Sequence, residues 1–242
     1  MASAAPEQER SVIRARRPIV AIDGPSGVGK STLSKLLARE LGFVNLDTGA
    51  MYRAVALAAS RRGVDPEDDV ALGRLAAGIV IDFVRNAGGE RVLLDGEDVS
   101  AAIRTPEISL LTSKVSACAA VREALVRRQR ELCARGGFVL EGRDIGTVVF
   151  PDAEIKFFLV ASPEERGRRR FLELQAKGTP VDLARTIAEV EARDQADSRR
   201  SHSPLRQADD AVAIDTTAMG IEQVLAAMLA LVRKRYPGDG EE

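Results

Sequence analysis

The stretch IDGPSGVGKST, residues 22–32, decides the fold because a strand, a glycine-rich turn and a helix start meet in it. Residues 24–31 match the pattern G-x-x-x-x-G-K-[ST] and form the phosphate-binding loop (P-loop). The apolar run PIVAID, residues 18–23, predicts the strand before it, and a helical stretch near 30–41 follows. The glycines let backbone N–H groups curl around phosphate oxygens, and the helix N-terminus adds partial positive charge. This context favours a nucleoside triphosphate site over a chance glycine-rich turn.

Two side chains of the P-loop have expected chemical roles. Lys30 is expected to bridge the β- and γ-phosphates, and Ser31 is expected to ligate Mg²⁺. The predicted triphosphate-binding residues are Gly24, Pro25, Ser26, Gly27, Val28, Gly29, Lys30, Ser31 and Thr32. The motif does not identify the phosphate acceptor, because GTPases, motor ATPases and small-molecule kinases share it.

Length and composition exclude several classes of protein. A chain of 242 residues fits one large α/β domain with inserted lobes. The net charge of −1 gives no overall basic field of the kind that nucleic-acid binders use. No run approaches the ~18 apolar residues of a membrane span. The polar leader, residues 1–17, lacks the apolar region of a secretory signal, and we expect it to be a disordered tail.

The cysteines and the histidine narrow the chemistry further. Cys118 and Cys133 form no Cys-x-x-Cys pair, so neither a disulfide framework nor a zinc site is predicted, and a reducing cytoplasm fits. His202 is the only histidine, which argues against a histidine-based triad or a histidine-rich metal site.

The pattern of apolar runs predicts an α/β fold. Five β-branched runs predict buried strands at 18–23, 43–47, 137–142, 155–161 and 211–216. Helical stretches are predicted near 30–41, 49–62, 105–135, 162–177, 182–198 and 220–236. Strands that are each followed by a loop or helix are typical of a five-stranded parallel sheet with helices on both faces.

Two segments interrupt this regular series. Residues 79–99 alternate like a β-hairpin with a glycine-containing loop, and we assign residues 64–113 to an inserted lobe. An Arg- and Glu-rich helical pair at 162–200 forms the second interruption. The core then comprises residues 18–63, 114–161 and 201–236, and residues 237–242 form a C-terminal tail.

The stretch LDTGAMYR, residues 46–53, places an aromatic ring beside an arginine just inside a predicted helix. Taken alone, it is compatible with a surface pair. In an open parallel sheet, however, the ligand crevice lies at the carboxyl ends of the strands. Arg53 follows the second predicted strand, and Arg143 and Asp144 follow the third, so both arginines can face the P-loop. The alternative is that these arginines form surface ion pairs, as we expect for Glu165 and Arg169 at i,i+4 spacing.

Five blocks of sequence occur in the order found in bacterial cytidylate kinases. They are IDGPSGVGKST (22–32), LDTGAMYR (46–53), VREALVRRQR (121–130), EGRDIGTVVFPDA (141–153) and ARDQADSRR (192–200). The chain resembles this family over nearly its whole length, from about residue 18 to residue 236. The resemblance implies a P-loop kinase fold with an inserted monophosphate-binding lobe and a helical lid. It also implies a cytoplasmic monomer that phosphorylates CMP and dCMP with ATP and Mg²⁺.

The resemblance also implies roles for individual residues. In the family, the arginines that correspond to Arg53 and Arg143 hold the α-phosphate of the monophosphate, and the tyrosine that corresponds to Tyr52 lies against the pyrimidine ring. The implied catalytic residues are Lys30, Arg53, Arg143 and Asp144. The implied CMP-binding residues are Thr48, Tyr52, Arg53, Ser113, Arg122, Arg143, Asp144, Arg193, Asp197 and Arg200.

Base selection in the family uses the residues that align with Ser113, Arg122 and Asp144. An aspartate accepts from the amino group of cytosine, and an arginine donates to its ring acceptors. Uracil reverses this pattern, and unpaired polar groups in a closed site cost about 1–3 kcal/mol each. CMP and dCMP are therefore expected to be favoured over UMP.

Two further features are compared with the family. Glu141 stands where other members have Asp, so its role near Mg²⁺ or its waters is left open, and spacing alone reveals no other acid for the metal. The helix EERGRRR, residues 164–170, resembles the mobile lid, whose closure would exclude water from the reaction. Spacing does not reveal which lid arginine reaches the transferred phosphoryl group.

The sequence also bears on functions other than phosphorylation of CMP. The chain lacks a guanine-reading N-K-x-D element and is small, which points away from GTPases and motors. Another kinase acceptor, such as UMP or a shikimate-like alcohol, remains an alternative, as does a nucleotide-binding regulator without catalysis. The intact set of Lys30, Ser31, Arg53 and Arg143 argues against the regulator. A nucleic-acid partner fits least, because the net charge is near zero and aromatic residues are scarce.

Overall fold

The structure is a computed structural model that describes residues 17–86, 89–176 and 178–237. Residues 1–16 of the predicted N-terminal tail and residues 238–242 of the C-terminal tail lie outside the described residues. In chain order the strands and helices are β1 (Arg17–Asp23), α1 (Lys30–Leu41), β2 (Val44–Asp47), α2 (Thr48–Arg62), α3 (Asp69–Gly78), β3 (Ile81–Asn86), β4 (Gly89–Leu94), β5 (Glu97–Asp98), α4 (Pro106–Val115), α5 (Ala119–Leu132), β6 (Gly136–Gly142), β7 (Ile155–Val160), α6 (Pro163–Ala176), α7 (Leu183–Ser198), β8 (Val212–Asp215) and α8 (Ile221–Arg235). A 3₁₀ turn at Ala102–Arg104 precedes α4, and a π-helical turn at Ile145–Val149 follows β6.

The main sheet has five parallel strands in the order β2-β6-β1-β7-β8. The five predicted strands and the predicted parallel sheet are therefore confirmed. Glu141 at the end of β6 pairs in register with Ile22 of β1 and with Asp47 of β2. The carboxyl ends of three neighbouring strands thus bring the P-loop, the start of α2 and the turn after β6 to one edge of the sheet.

Backbone geometry at two glycines fixes the P-loop between β1 and α1. Gly24 has φ 149°, and a Cβ atom there would lie 2.3 Å from the carbonyl oxygen of Leu159 in the neighbouring strand β7. Gly29 has φ 99° and immediately precedes the first residue of α1. A side chain at either position would face a backbone conformation that only glycine adopts readily. The glycines are therefore required by the turn itself.

Buried apolar residues flank the main sheet, and a second apolar cluster surrounds the antiparallel sheet β3-β4-β5. The predicted hairpin at 79–99 is confirmed, with Ile81 opposite Leu94 in the register. Helix α3 and the third strand β5 were not predicted. Nearly every residue of α2 from Ala50 to Ala59 is buried in this cluster. Helix α2 therefore connects the second cluster to the edge of the main sheet.

The predicted single helical stretch at 105–135 is wrong, because residues 116–118 interrupt the helix between α4 and α5. Cys118 is extended (φ −64°, ψ 119°), and the backbone N–H of Ser116 closes the last turn of α4 on Thr112. The periodicity of apolar residues continues across the break, so the sequence pattern did not reveal it. The break leaves the carbonyl and hydroxyl groups of Ser116 available to side chains from elsewhere.

Among the described residues, no helix combines the length and the apolar character needed to cross a membrane.

Candidate active site

The P-loop lysine lies folded against its own loop. The Nζ of Lys30 donates to the carbonyl oxygens of Gly24 at 2.8 Å and Pro25 at 2.6 Å. Burial and the nearby Arg143 guanidinium lower the pKa of Lys30 well below its usual value. Its ammonium group is therefore held inside the loop, beside other positive charge, where a polyanion would stabilise it.

Glu141 connects β6 to the P-loop. The Ser31 hydroxyl donates to Oε2 of Glu141 at 2.9 Å, whereas Oε1 is buried with no hydrogen-bond partner. The Thr48 hydroxyl donates to the Glu141 carbonyl oxygen at 2.6 Å. Burial, and then the nearby Asp47 carboxylate, raise the pKa of Glu141 to about 7. Glu141, whose role near Mg²⁺ was left open by the sequence, thus lies beside the predicted metal ligand, Ser31.

Asp23 is a buried acid that sequence reasoning missed. Its two carboxylate oxygens accept from the backbone N–H groups of Ile145 at 2.9 Å and Gly146 at 2.7 Å. Burial raises the pKa of Asp23 to about 6, although these two hydrogen bonds oppose the rise. Asp23 therefore ties the strand before the P-loop to the turn that carries Arg143 and Asp144. Its place directly before the P-loop is the only signal in the sequence.

Arg53 lies on the second turn of α2 at the carboxyl edge of the sheet. Its Nη2 donates to Oδ2 of Asp47 at 2.8 Å, while Oδ1 of Asp47 accepts from the backbone N–H of Ala50 at 2.9 Å. The Nε of Arg53 is buried and makes no hydrogen bond. The alternative of a surface pair between Tyr52 and Arg53 does not hold, since Tyr52 is buried and its ring faces Arg122.

Arg122 lies buried between an aromatic ring and a carboxylate. Its guanidinium carbon is 5.4 Å from the centroid of the Tyr52 ring, a cation–π distance. Its Nη2 donates to Oδ2 of Asp144, and its Nη1 donates to the carbonyl oxygen of Ser116 at 3.3 Å. Burial raises the pKa of Tyr52 to about 12, so the ring stays neutral. Three of the residues expected to read the base are therefore adjacent.

Ser113 lies half-buried on α4, one turn before Ser116. Its carbonyl oxygen accepts from the Ser116 hydroxyl at 3.2 Å. Ser116 in turn contacts both Arg122 and Arg200. Sequence reasoning missed Ser116, because the helix break that exposes its polar groups was not predicted.

Helix α7 and the residues that directly follow it bring a carboxylate and two arginines to Arg143. The Nε of Arg143 donates to Oδ2 of Asp197 at 2.7 Å, and Arg200 donates to Oδ1 of the same carboxylate. Arg200 also donates to the Ser116 hydroxyl at 3.0 Å. Although burial raises the pKa of Asp197, the two arginines lower it below its usual value. Asp197 is therefore a shared anionic partner.

Arg193 adds a further positive charge that lacks close compensation. Its Nε is buried with no hydrogen-bond partner. Burial, and then repulsion from Arg143, lower the pKa of Arg193 to about 10, and Arg53 and Arg200 act in the same direction. Of these four guanidinium groups, Arg53 pairs with Asp47, and Arg143 and Arg200 pair with Asp197. The excess of positive charge suits a bound phosphate.

The helical pair α6 and α7 contacts the P-loop through one ion pair. Arg166 of α6 donates to Asp194 of α7 and to the carbonyl oxygen of Ser26 at 3.0 Å. Asp194 also accepts from the backbone N–H of Ser26 at 3.1 Å. The predicted pair of Glu165 and Arg169 is confirmed at 2.9 Å. Among the arginines of residues 164–170, Arg166 is the one that contacts the P-loop.

The fold and this site define a P-loop phosphotransferase in which a cluster of arginines faces the triphosphate loop. Residues 20–234 match the family model for cytidylate kinase. The chain is 64% identical to a cytidylate kinase of Syntrophotalea carbinolica, over 91% of this chain and 94% of that protein. It is 62% identical to that of Geobacter sulfurreducens (90% and 93% covered) and 53% identical to that of Pelotomaculum thermopropionicum (89% and 96%). The chain belongs to the cytidylate kinase family, and the resemblance drawn from its motifs is confirmed.

Proposed function

We propose that this chain transfers the γ-phosphoryl group of ATP to CMP and dCMP, which yields ADP with CDP or dCDP. The observation that carries the proposal is the cluster of Arg53, Arg143, Arg193 and Arg200 next to the P-loop lysine. Burial, and then repulsion from Arg143, lower the pKa of Lys30, and Arg193 adds to this repulsion. Two phosphate groups, one on each nucleotide, would relieve it.

The reaction needs little acid–base help from the protein. An oxygen of the CMP phosphate, already anionic at neutral pH, attacks the γ-phosphorus of ATP. The bond from that phosphorus to the β–γ bridging oxygen breaks, and ADP leaves. Catalysis then comes from alignment of the two phosphates and from stabilisation of their charge. In this proposal Lys30 acts on the donor side, and Arg53 and Arg143 hold the acceptor phosphate.

Mg²⁺ fits the residues beside the P-loop. The buried, unpartnered Oε1 of Glu141 and the hydroxyl of Ser31 are hard oxygen donors of the kind that Mg²⁺ takes. No group of three or more His, Cys, Asp or Glu residues able to hold a metal occurs in the described part of the chain. That is the pattern for an ion held mainly by substrate phosphates and water. The ion would neutralise phosphate charge, with Ser31 and Glu141 as its protein contacts.

Base recognition is proposed for Ser113, Arg122 and Asp144, with the ring of Tyr52 against the base. The carboxylate of Asp144 can accept from the amino group of cytosine, and Arg122 can donate to the ring acceptors. The cation–π contact and the ion pair hold Arg122 in one place. Thr48, Arg193, Asp197 and Arg200 complete the proposed CMP-binding set.

The test is to mix the protein with ATP, Mg²⁺ and each monophosphate in turn, and to follow ADP release. CMP and dCMP should turn over fastest, with UMP and AMP slower by about 10-fold or more, because a mispaired base leaves buried polar groups unsatisfied. Equal rates for CMP, UMP and AMP would refute the assignment of the base-reading residues. Absence of turnover with any acceptor would instead favour a nucleotide-binding regulator.

The remaining features of the proposal rest on sequence reasoning. They are a monomeric state, a cytoplasmic location and the lack of a nucleic-acid partner. The proposed division assigns residues 64–113 to the monophosphate-binding lobe and residues 162–200 to the lid and substrate-contacting helices. Size-exclusion chromatography with light scattering tests the monomeric state directly.

A further inference from the structure

Asp194 lies where the lid helices meet the P-loop. One of its carboxylate oxygens accepts from the backbone N–H of Ser26 at 3.1 Å, and the other accepts from Arg166. Arg166 also donates to the carbonyl oxygen of Ser26 and, through Nε, to the carbonyl oxygen of Ala161 at 2.9 Å. Both backbone polar groups of Ser26 are therefore held by this one ion pair.

The fit between the loop and α6 is close as well as polar. A Cβ atom on Gly27 would lie 3.1 Å from the carbonyl oxygen of Arg166. The two lid helices also approach each other closely, since a Cβ on Gly167 would lie 2.3 Å from a side-chain carbon of Ile187. A shift of α7 would therefore be transmitted to the P-loop both directly and through α6.

The same helix carries the acceptor-side charges. Asp197 lies one turn after Asp194 on α7 and binds Arg143. Arg193 directly precedes Asp194. Along less than two turns of helix, α7 thus contacts the triphosphate loop at one position and the arginine cluster at two others. Because an α-helix is rigid over that length, the position of one contact sets the position of the others.

We propose that Asp194 is a positioning residue for phosphoryl transfer, which holds α7 to the P-loop so that donor and acceptor phosphates are aligned. This inference rests on the proposed function and adds a residue to it. A carboxylate beside a triphosphate loop is electrostatically unfavourable by itself, and Arg166 neutralises it. Arg166 and Asp194 therefore work as a pair that connects the P-loop to the lid helices without adding negative charge.

The informative variant is Asp194→Asn in the full-length protein. The amide keeps the size of the side chain and can still accept from the Ser26 N–H, but it loses the ion pair with Arg166. We expect kcat to fall about 10-fold, the size of a lost charge-assisted hydrogen bond. The dissociation constant for ADP alone should change less than about 3-fold, because the backbone of the P-loop is kept. Asp194→Glu, which keeps the charge, should recover part of kcat.

The second readout is the coupling between the two nucleotide sites. Calorimetry would measure the affinity for CMP with and without saturating ADP, and the ratio of the two affinities gives the coupling. In the parent protein the ratio should differ from one, and in Asp194→Asn it should approach one. Glu189→Gln is the matched control, since Glu189 forms an exposed ion pair with Arg185 on the same helix and should leave both readouts unchanged.

Each outcome has a defined meaning. An Asp194→Asn protein with the parent's kcat and coupling ratio would overturn the inference, as would a parent ratio of one. If Asp194→Asn does not fold, Arg166→Lys weakens the same contact from α6 and must reproduce the loss of coupling. A parent protein that does not phosphorylate CMP would overturn the proposed function itself, whereas normal parent turnover with an unaffected variant would overturn only the role of Asp194.

Discussion

The proposed donor and acceptor sides of the site are built in different ways. The donor side is one continuous loop, residues 24–31, whose lysine is satisfied by two carbonyl oxygens of the same loop. The acceptor side takes its arginines from α2, the turn after β6 and α7, and they outnumber their carboxylate partners. A locally encoded unit thus meets one assembled from distant segments, and only the first satisfies its cation with hydrogen bonds from its own backbone. Variants that affect one side alone should therefore separate triphosphate chemistry from acceptor binding.

The largest effect is expected from Lys30→Met. Loss of the ammonium group removes charge stabilisation from the transferred phosphate, so kcat with ATP and CMP should fall about 1,000-fold. The free energy of unfolding should rise or stay unchanged, because the buried charge disfavours the folded state. Steady-state kinetics and denaturant unfolding check both expectations.

Lys35→Met is the control for this change, since Lys35 lies on the same helix, half-exposed and 3.7 Å from Glu90. It should leave kcat within about 2-fold, as exposed ion pairs contribute little. Comparable losses in the two variants would contradict the assignment of Lys30 to the donor side.

On the acceptor side, Arg53→Ala should lower kcat/KM for CMP about 100-fold, the cost of a lost bidentate contact to a phosphate. Most of the loss should be in KM for CMP, while KM for ATP stays nearly constant. Arg61→Ala removes an arginine from the same helix, where it pairs with Glu97 at the surface, and should change little. Unchanged CMP turnover in Arg53→Ala would show that another group holds the acceptor phosphate.

Asp144→Asn separates two functions within the acceptor side. It should change recognition of the base and leave binding of the acceptor phosphate intact. An amide can donate to uracil as well as accept from cytosine, so the preference for CMP over UMP should fall about 10-fold. The ratio of the two kcat/KM values is the measurement, which cancels any loss of folded protein. Asp152→Asn, an exposed residue of the same sequence block, should keep the parent ratio.

The smallest effect concerns Glu141 and pH. Its pKa is raised from a usual value near 4.5 to about 7, so between these pH values the folded protein holds a proton that the unfolded chain has lost. Stability therefore falls as pH rises through this window. Glu141→Gln removes this dependence, and its stability relative to the parent should increase by on the order of 1–3 kcal/mol from pH 5 to pH 8.

Denaturant unfolding of both proteins at the two pH values gives this difference directly, since Asp23 titrates in both and cancels. The absence of a difference between the two pH values would mean that Glu141 is ionised in the folded protein throughout. The same variant should need more Mg²⁺ for half-maximal turnover, if Glu141 contacts the ion or its waters.

The contrast between the two sides also explains what could be predicted from the sequence. The P-loop was predictable because strand, glycines and helix are contiguous and each has a local physical reason. The five parallel strands were predictable for the same reason, from β-branched runs between loops and helices. The break at residues 116–118 was not, since the apolar periodicity runs across it and only the tertiary contacts of Ser116 reveal its use.

Prediction of the contacts on the acceptor side would have required knowledge of the strand order. Nothing local says that Glu141 pairs with both Ile22 and Asp47, although this register places it beside Ser31. Asp23 and Asp194 were missed because each acts on backbone groups more than 100 residues away in the chain. Arg53 and Arg143, in contrast, could be placed because each follows a predicted strand, and the resemblance added Arg193 and Arg200.

Asp47 gives the acceptor side a means of changing partners without loss of local structure. One carboxylate oxygen caps α2 through the backbone of Ala50, and the other binds Arg53. Gly49 leaves room for the guanidinium, since a Cβ there would lie 3.1 Å from Nη1 of Arg53. If the proposed acceptor phosphate binds Arg53 in place of Asp47, the cap would remain and the first turn of the helix would be kept. The same carboxylate therefore caps the helix and also serves as the alternative partner of its arginine.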